Sequence, residues 1–295
     1  MNVNLPYQFD ASSIHDFVSQ VIGDDFEPKA SSIVFNLNTM SFIRPCGVAI
    51  FSNIIEWLSS RHIAVSFQLP PIYGHQNSPV KFLDDSLFFQ RYLGRKLFDS
   101  SGPRSTTIPL MCIRYAESFD WLENHLLKWL SRRLNLSSPS LANIKVCFIE
   151  IFNNINDHSA NNIGCVFAQH FPRENIVKIA ISDFGVGIPY NVKKVLPHLS
   201  DQDAILKATE EGFTTKSLRV NAGAGLDILI TNVVKNNKGW IQIYSNCGSL
   251  SCVLFDDTIV KKPHICGYYP GTLIYANLRT DTIEKIDDDS EDFEW

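Results

Sequence analysis

The sequence predicts an α/β protein: a two-layer sandwich of helices over a mixed or antiparallel sheet, preceded by a smaller α/β unit. Three observations point there. In the first part of the chain, apolar runs of strand length flank a helical pattern. In the second part, two long helical patterns are followed by clustered strand patterns with a hairpin among them. Between the two parts lies DSSGPRST (99–106), rich in Ser, Gly and Pro, which marks a seam. With 45% hydrophobic and 12% aromatic residues over 295 positions, both parts have the apolar material for a core.

The elements follow in order. IVFNL (33–37) reads as a buried strand, CGVAIFSNIIEWLSS (46–60) as an amphipathic helix and IAVSFQL (63–69) as a second strand, with a further helix suggested by Phe82, Leu83, Leu87 and Phe88. These make up a unit over residues 1–98, and 99–108 is the linker. Beyond it, 116–134 and 141–158 read as helices separated by SSPS, then strands at 163–171 and 175–182. Loops and short helices run to about 224, a helix spans 225–237, and strands are expected near 239–246, 250–256 and 271–279. This second unit covers 109–280, and 281–295 is an acidic tail.

The net charge of −5 is concentrated in that tail, which holds eight acids and one lysine and so leaves the rest of the chain near +2. A nearly neutral body argues against a nucleic-acid track. No stretch approaches the roughly 20 apolar residues of a membrane span, and MNVNLPYQFD has no basic and apolar leader, so a cytoplasmic location is expected. The seven cysteines include no C-x-x-C pair and read as reduced thiols, with Cys247 and Cys252 expected on neighbouring strands.

The second helix of the larger unit ends in EIFNNINDHS (150–159), crowded with weak helix formers that compete for the backbone. On a helical wheel Asn154 lies about 40° and Asp157 about 20° from Glu150, whereas Ile144, Phe148, Ile151 and Ile155 gather about 130° away. One face packs; the other presents two carboxylates and an amide, oxygen ligands suited to Mg2+. The plain alternative is a polar solvent face. Three later segments add to the pattern. ISDFGVGIP (181–189) is an apolar strand ending in an aspartate and a G-x-G turn; EGFTTKS (211–217) is rich in hydroxyls with one lysine; AGAGLDILI (222–230) leads small residues into an apolar helix whose free N–H groups favour anions. Singly these are a turn, a surface loop and a cap.

In this order the four segments resemble the N box, G1 box, lid and G2 box of the GHKL superfamily, the Bergerat-fold ATP-binding domains of gyrase, sensor histidine kinases and mismatch-repair ATPases, and FTTK before G-x-G-L is similar to the histidine-kinase and anti-sigma-kinase branch. The resemblance implies ATP and Mg2+ as cofactors and assigns roles. Glu150 matches the general base, Asn154 the Mg2+ ligand, and Asp157 and His158 the later N-box positions. Asp183 matches the aspartate that accepts from the adenine amino group; Gly185, Gly187 and Ile188 line the base and ribose. Thr214, Thr215 and Lys216 fall in the lid, Gly223, Ala224, Gly225 and Leu226 at the phosphate-facing helix, and Thr272 in PGTLIYANL (270–278) matches a threonine that supports the adenine site. Many relatives carry a further glycine where Asn221 or Ala222 stands, so phosphate contacts there depart from the pattern.

The first unit resembles a STAS domain, in which a strand leads through a loop, here MSFIRPCG (40–47), into a helix. In the antagonist branch an aspartate and a phosphorylated serine precede the glycine of that loop; Arg44 and Pro45 stand in their places, so no phospho-switch is implied. DFG at 183–185 has no accompanying H-R-D or V-A-I-K for a eukaryotic-type kinase, and the chain lacks a P-loop and a complete dinucleotide fingerprint. His125 has neither the acid nor the proline expected beside a phosphoacceptor. Three classes remain open: an ATPase switch acting on a protein partner through the STAS-like unit, a protein serine kinase, and a module that holds ATP without turnover. Neither DNA nor a membrane is expected as a partner, and a homodimer is left open.

Overall fold

The first strands, β1 (Asn2–Asn4) and β2 (Gln8–Phe9), bury alternate side chains, and α1 (Ile14–Val21) turns Ile14, Phe17, Val18 and Val21 inward. They are followed by β3 (Ser32–Asn36), β4 (Phe42–Ile43), α2 (Pro45–Ser60), β5 (Ala64–Gln68), α3 (Pro79–Asp85) and α4 (Phe88–Leu93). The computed structural model describes residues 1–71, 78–158, 163–183, 185–213 and 225–287, without the side chains of 115, 154–158 and 163. β1, β3 and β5 form a parallel sheet in that order, a pairing that needs the crossover supplied by α2.

α2 is not the amphipathic helix its sequence suggests. Every residue from Pro45 to Leu58 is buried except Glu56, which is half-buried. The cause is tertiary: α2 is covered on two sides. Phe51 packs against Phe35, Phe67 and Phe88 at ring separations of 5.1, 6.0 and 4.8 Å, whereas Ser52 and Asn53 meet residues of the larger sheet. A helix buried all round needs little polar surface, and α2 has little.

The seam folds back on this unit. Asp84, fully buried, accepts hydrogen bonds from the backbone N–H groups of Leu97 and Phe98 at 2.9–3.1 Å. Asp85 pairs with Lys81 and Arg104; burial pushes its carboxyl up, but the two cations and the Gly102 N–H outweigh that and hold it below the usual range.

Beyond the seam come β6 (Thr107–Arg114), α5 (Tyr115–Trp121), a π-helical turn and α6 (Lys128–Leu134), which together replace the single helix expected over 116–134. Then follow α7 (Ala142–His158), β7 (Ile163–Phe171), β8 (Ile176–Asp183), α8 (Ile188–Val195), α9 (Asp201–Ala208), α10 (Gly225–Ile230), β9 (Trp240–Phe255) and β10 (Thr258–Arg279). The larger sheet has the order β6-β7-β8-β10-β9, and every pairing in it is antiparallel.

Two expectations are corrected here. The strands expected at 239–246 and 250–256 are one strand, β9, so Cys247 and Cys252 lie on the same strand rather than on neighbours. The sequence NCGS (246–249) looks like a turn but is an irregularity within the strand: Asn246 takes φ +52° and the pairing with β10 shifts register nearby. The hairpin turn is instead at Asp256 and Asp257, both with positive φ as a two-residue turn requires. β10 likewise begins at Thr258, well before the expected 271. This part of β10 contains Pro263 and Pro270; residues 258–270 pair only with β9, and an unpaired side tolerates a missing N–H.

Period-two alternation sets the two faces of the larger sheet. Ile179, Ile181, Ile241, Ile243, Ile274 and Ala276 face α7 and α10 in one core, with Phe148, Ile151, Leu229 and Ile230. Their neighbours Phe167, Ala180, Tyr244, Leu273 and Tyr275 face α2 and complete the core of the first unit. The sheet therefore lies between the α7 and α10 layer and α2. Among the described residues no helix is long and apolar enough to cross a membrane.

Candidate functional site

Alternation along β8 puts Val177, Ile179, Ile181 and finally Asp183 on the face that α7 and α10 cover. The same count puts Thr272 on that face of β10, next to Ile274 and Ala276, and Ser245 on that face of β9, next to Ile243 and Ile241. Ile274 pairs with both Ile181 and Ile243, and Thr272 pairs with Ser245. A polar row of Asp183, Thr272 and Ser245 thus lies across three strands, one step beyond an apolar row of Ile181, Ile274 and Ile243.

The row is tightly bonded. Asp183 Oδ1 accepts from the N–H of Gly185 at 2.6 Å and from the N–H of Thr272 at 3.2 Å. Oδ2 has no hydrogen bond among the described residues. Ser245 Oγ donates to the Gly271 carbonyl at 2.9 Å, accepts from the N–H of Ile188 at 2.9 Å, and lies 3.0 Å from Thr272 Oγ1. Ser245 thereby ties the start of α8 to β10. Gly187 precedes α8 at φ +87°, where an added Cβ would come within 2.8 Å of Ser245 Oγ.

Asp183 is partly open at its surface yet set deep between strands and turn. Burial pushes its carboxyl up to about 6, against the N–H groups of Gly185 and Thr272, which hold it down. An acid whose folded pKa is raised disfavours the fold once ionised, because releasing its proton costs more in the buried site than in the unfolded chain.

Gly271 sits at φ +79°, and a Cβ there would collide with the Asp183 carbonyl and lie 2.7 Å from Oδ1. Gly271→Ala is expected to cost about 2–4 kcal/mol, from the left-handed backbone and the displaced carboxylate together. Urea denaturation checks it; an unchanged midpoint would show that β10 and Asp183 separate without cost.

On the helix layer, Glu150 is half-buried on α7, whereas Cys147, Phe148 and Ile151 beside it are buried. Burial pushes the Cys147 thiol up to about 11, with the Glu150 charge adding to it. Phe148, Ile151, Ile181, Leu229 and Ile274 line an apolar crevice between α7, α10 and the sheet. Gly225 opens α10, and Leu226 packs on the same core.

Asp183, Gly185, Gly187, Ile188 and Thr272 are therefore together, although Thr272 is far from the others in sequence. Glu150, Gly225 and Leu226 are on the elements that cover the same face. The side chains of Asn154, Asp157 and His158 lie outside the described residues, as do Thr214, Thr215, Lys216, Gly223 and Ala224. Among the described residues no group of three or more His, Cys, Asp or Glu is placed to hold a metal ion. Ser245 and Gly271 are members of the site that sequence reasoning missed. The Pro-Gly step before Thr272 was the available cue for Gly271; nothing local marks Ser245.

Chemically, a recessed carboxylate with one oxygen fixed by two backbone donors and the other without a hydrogen bond among the described residues suits a ligand that offers an N–H beside an apolar body. No family model matches the chain, and neither does any curated protein.

Proposed function

We propose that the chain binds ATP with Mg2+ and acts as a regulatory switch of the Bergerat type, in the manner of the GHKL superfamily, with its first unit serving as a STAS-like contact for a protein partner. The arrangement around Asp183 carries this: the one aspartate that the motif order assigns to adenine has Oδ1 held by Gly185 and Thr272 and Oδ2 left to accept an amino group. That geometry fits adenine, whose exocyclic amine is the donor such a carboxylate selects. Glu150 is assigned as the base that activates water, Asn154 as the Mg2+ ligand, and the 214–216 and 223–226 segments as phosphate contacts.

A path from the site to the first unit supports a switch in particular. Ser182, next to Asp183, is hydrogen-bonded to the Tyr269 hydroxyl at 2.7 Å, and Tyr269 accepts from Asn53 Nδ2 of α2 at 3.0 Å. All three are fully buried, so a shift of the β8 end on nucleotide binding is felt at α2.

Calorimetry of the full chain with ATP and MgCl2 is the first test, with saturable heat at micromolar to millimolar ATP expected. The absence of binding heat, with the protein shown folded by circular dichroism, would overturn the proposal. Incubation with γ-labelled ATP then sorts the classes: released phosphate supports the switch with turnover, label on an added protein the serine kinase, and retained intact nucleotide the non-hydrolysing module.

A further inference from the structure

On the opposite face of the sheet, Cys112 of β6 and Cys165 of β7 are direct register partners, and their sulfurs are 3.2 Å apart. Among the described residues no other two cysteine sulfurs are in contact. Residues opposite one another in an antiparallel pair have Cα atoms about 4.5 or 5.5 Å apart, and both spacings fall in the range a disulfide spans. A bond of about 2.05 Å therefore needs the two sulfurs, now 3.2 Å apart, to approach by about 1.2 Å.

The pair is asymmetric. Cys165 is fully buried, with Ser52 Oγ at 3.3 Å, and burial pushes its thiol up. Cys112 is half-buried and donates to Glu56 Oε1 at 3.6 Å. Glu56 is itself held by Arg91, whose Nε donates to it at 2.8 Å, and by the Tyr92 hydroxyl at 3.1 Å. A half-buried cysteine thus has a fixed proton acceptor on one side and a second, fully buried sulfur on the other.

We infer that Cys112 and Cys165 are an oxidisable pair that a hydroperoxide converts to a disulfide. Cys112 passes its thiol proton to Glu56, and its sulfur attacks one oxygen of hydrogen peroxide. The O–O bond breaks, and the departing hydroxide takes the proton back from Glu56 as water, leaving Cys112 as a sulfenic acid. The Cys165 sulfur then attacks the Cys112 sulfur; the S–O bond breaks, and the hydroxide leaves as water with the Cys165 thiol proton. In sum two thiols and one peroxide give one disulfide and two waters, the sulfurs losing the two electrons that the peroxide oxygens gain. Closure staples the edge strand β6 to β7 and draws both sulfurs from their contacts with Ser52 and Glu56. It therefore alters the seat of α2, independently of any nucleotide.

The full chain is treated with hydrogen peroxide, alkylated under denaturing conditions and mapped by mass spectrometry. Loss of two of the seven thiols, a peptide joining Cys112 to Cys165, and their return on reduction with dithiothreitol are expected. In Cys165→Ser, Cys112 is expected to accumulate as a sulfenic acid trapped by dimedone. Seven alkylated thiols after treatment, a bond between any other pair, or Cys112 driven to sulfinic acid with Cys165 still free would each overturn the inference. The mapping of the unaltered chain decides the matter even if the variant does not fold.

Discussion

Glu150→Ala is expected to slow ATP turnover by about 100- to 10,000-fold, the contribution a positioned general base makes, while leaving the dissociation constant for ATP within about threefold. The separation of the two effects follows from where the residue sits. Glu150 is half-buried on α7, on the side away from Phe148 and Ile151, so its removal takes no side chain out of the core. Stability should change by less than about 0.5 kcal/mol, as for other substitutions that leave the core intact. Glu150→Gln keeps the size and the hydrogen-bonding reach but accepts no proton, so its rate should fall with that of alanine. Phosphate release at saturating ATP and calorimetry under the same conditions measure the two quantities. A Glu150→Ala protein that hydrolyses ATP at the original rate would place the base elsewhere.

Asp183→Asn is expected to weaken ATP binding by about 10- to 100-fold, equivalent to the 1.5–3 kcal/mol of a hydrogen bond to a charged group. The amide can still present an oxygen to the N–H groups of Gly185 and Thr272, so the loop keeps its shape. The second position, however, becomes a donor where the proposed adenine amine would lie, and two donors repel. The same substitution should stabilise the protein at neutral pH. With the folded carboxyl raised from 3.8 to about 6, the folded state holds more protons than the unfolded state between those values, so stability falls as pH rises through that window. The loss is about 3 kcal/mol at 1.36 kcal/mol per pKa unit, and Asp183→Asn removes it. ATP affinity of the unaltered protein should rise as pH passes about 6, when the carboxylate ionises, and the variant should lose that rise. Equal affinity in the two proteins would show that Asp183 is not the adenine acceptor, whatever the stability curves do.

Much of this was written locally. The apolar spacing of 141–158 marked α7 and its packing face, and the alternation Val177, Ile179, Ile181, Asp183 fixed both the strand and the face on which the carboxylate stands, because a period of two leaves no choice. The G-x-G after it announced a tight turn, and the structure has one, with Gly187 at positive φ. Thr272 was legible only through the order of motifs, since nothing around it differs from an ordinary strand end.

Periodicity tells which side of an element is apolar but not what covers it, and there the sequence by itself fell short. α2 was misjudged because its second cover, the back of the antiparallel sheet, comes from residues more than a hundred positions later. The hairpin β9–β10 was cut short because NCGS has turn composition, whereas long-range pairing and the close approach of Gly248 to α9 carry the chain straight through it. Ser245, Gly271 and the facing sulfurs of Cys112 and Cys165 owe their roles to register between strands. Register is set when whole faces are matched and buried together, so only the folded chain decides which polar groups end up side by side.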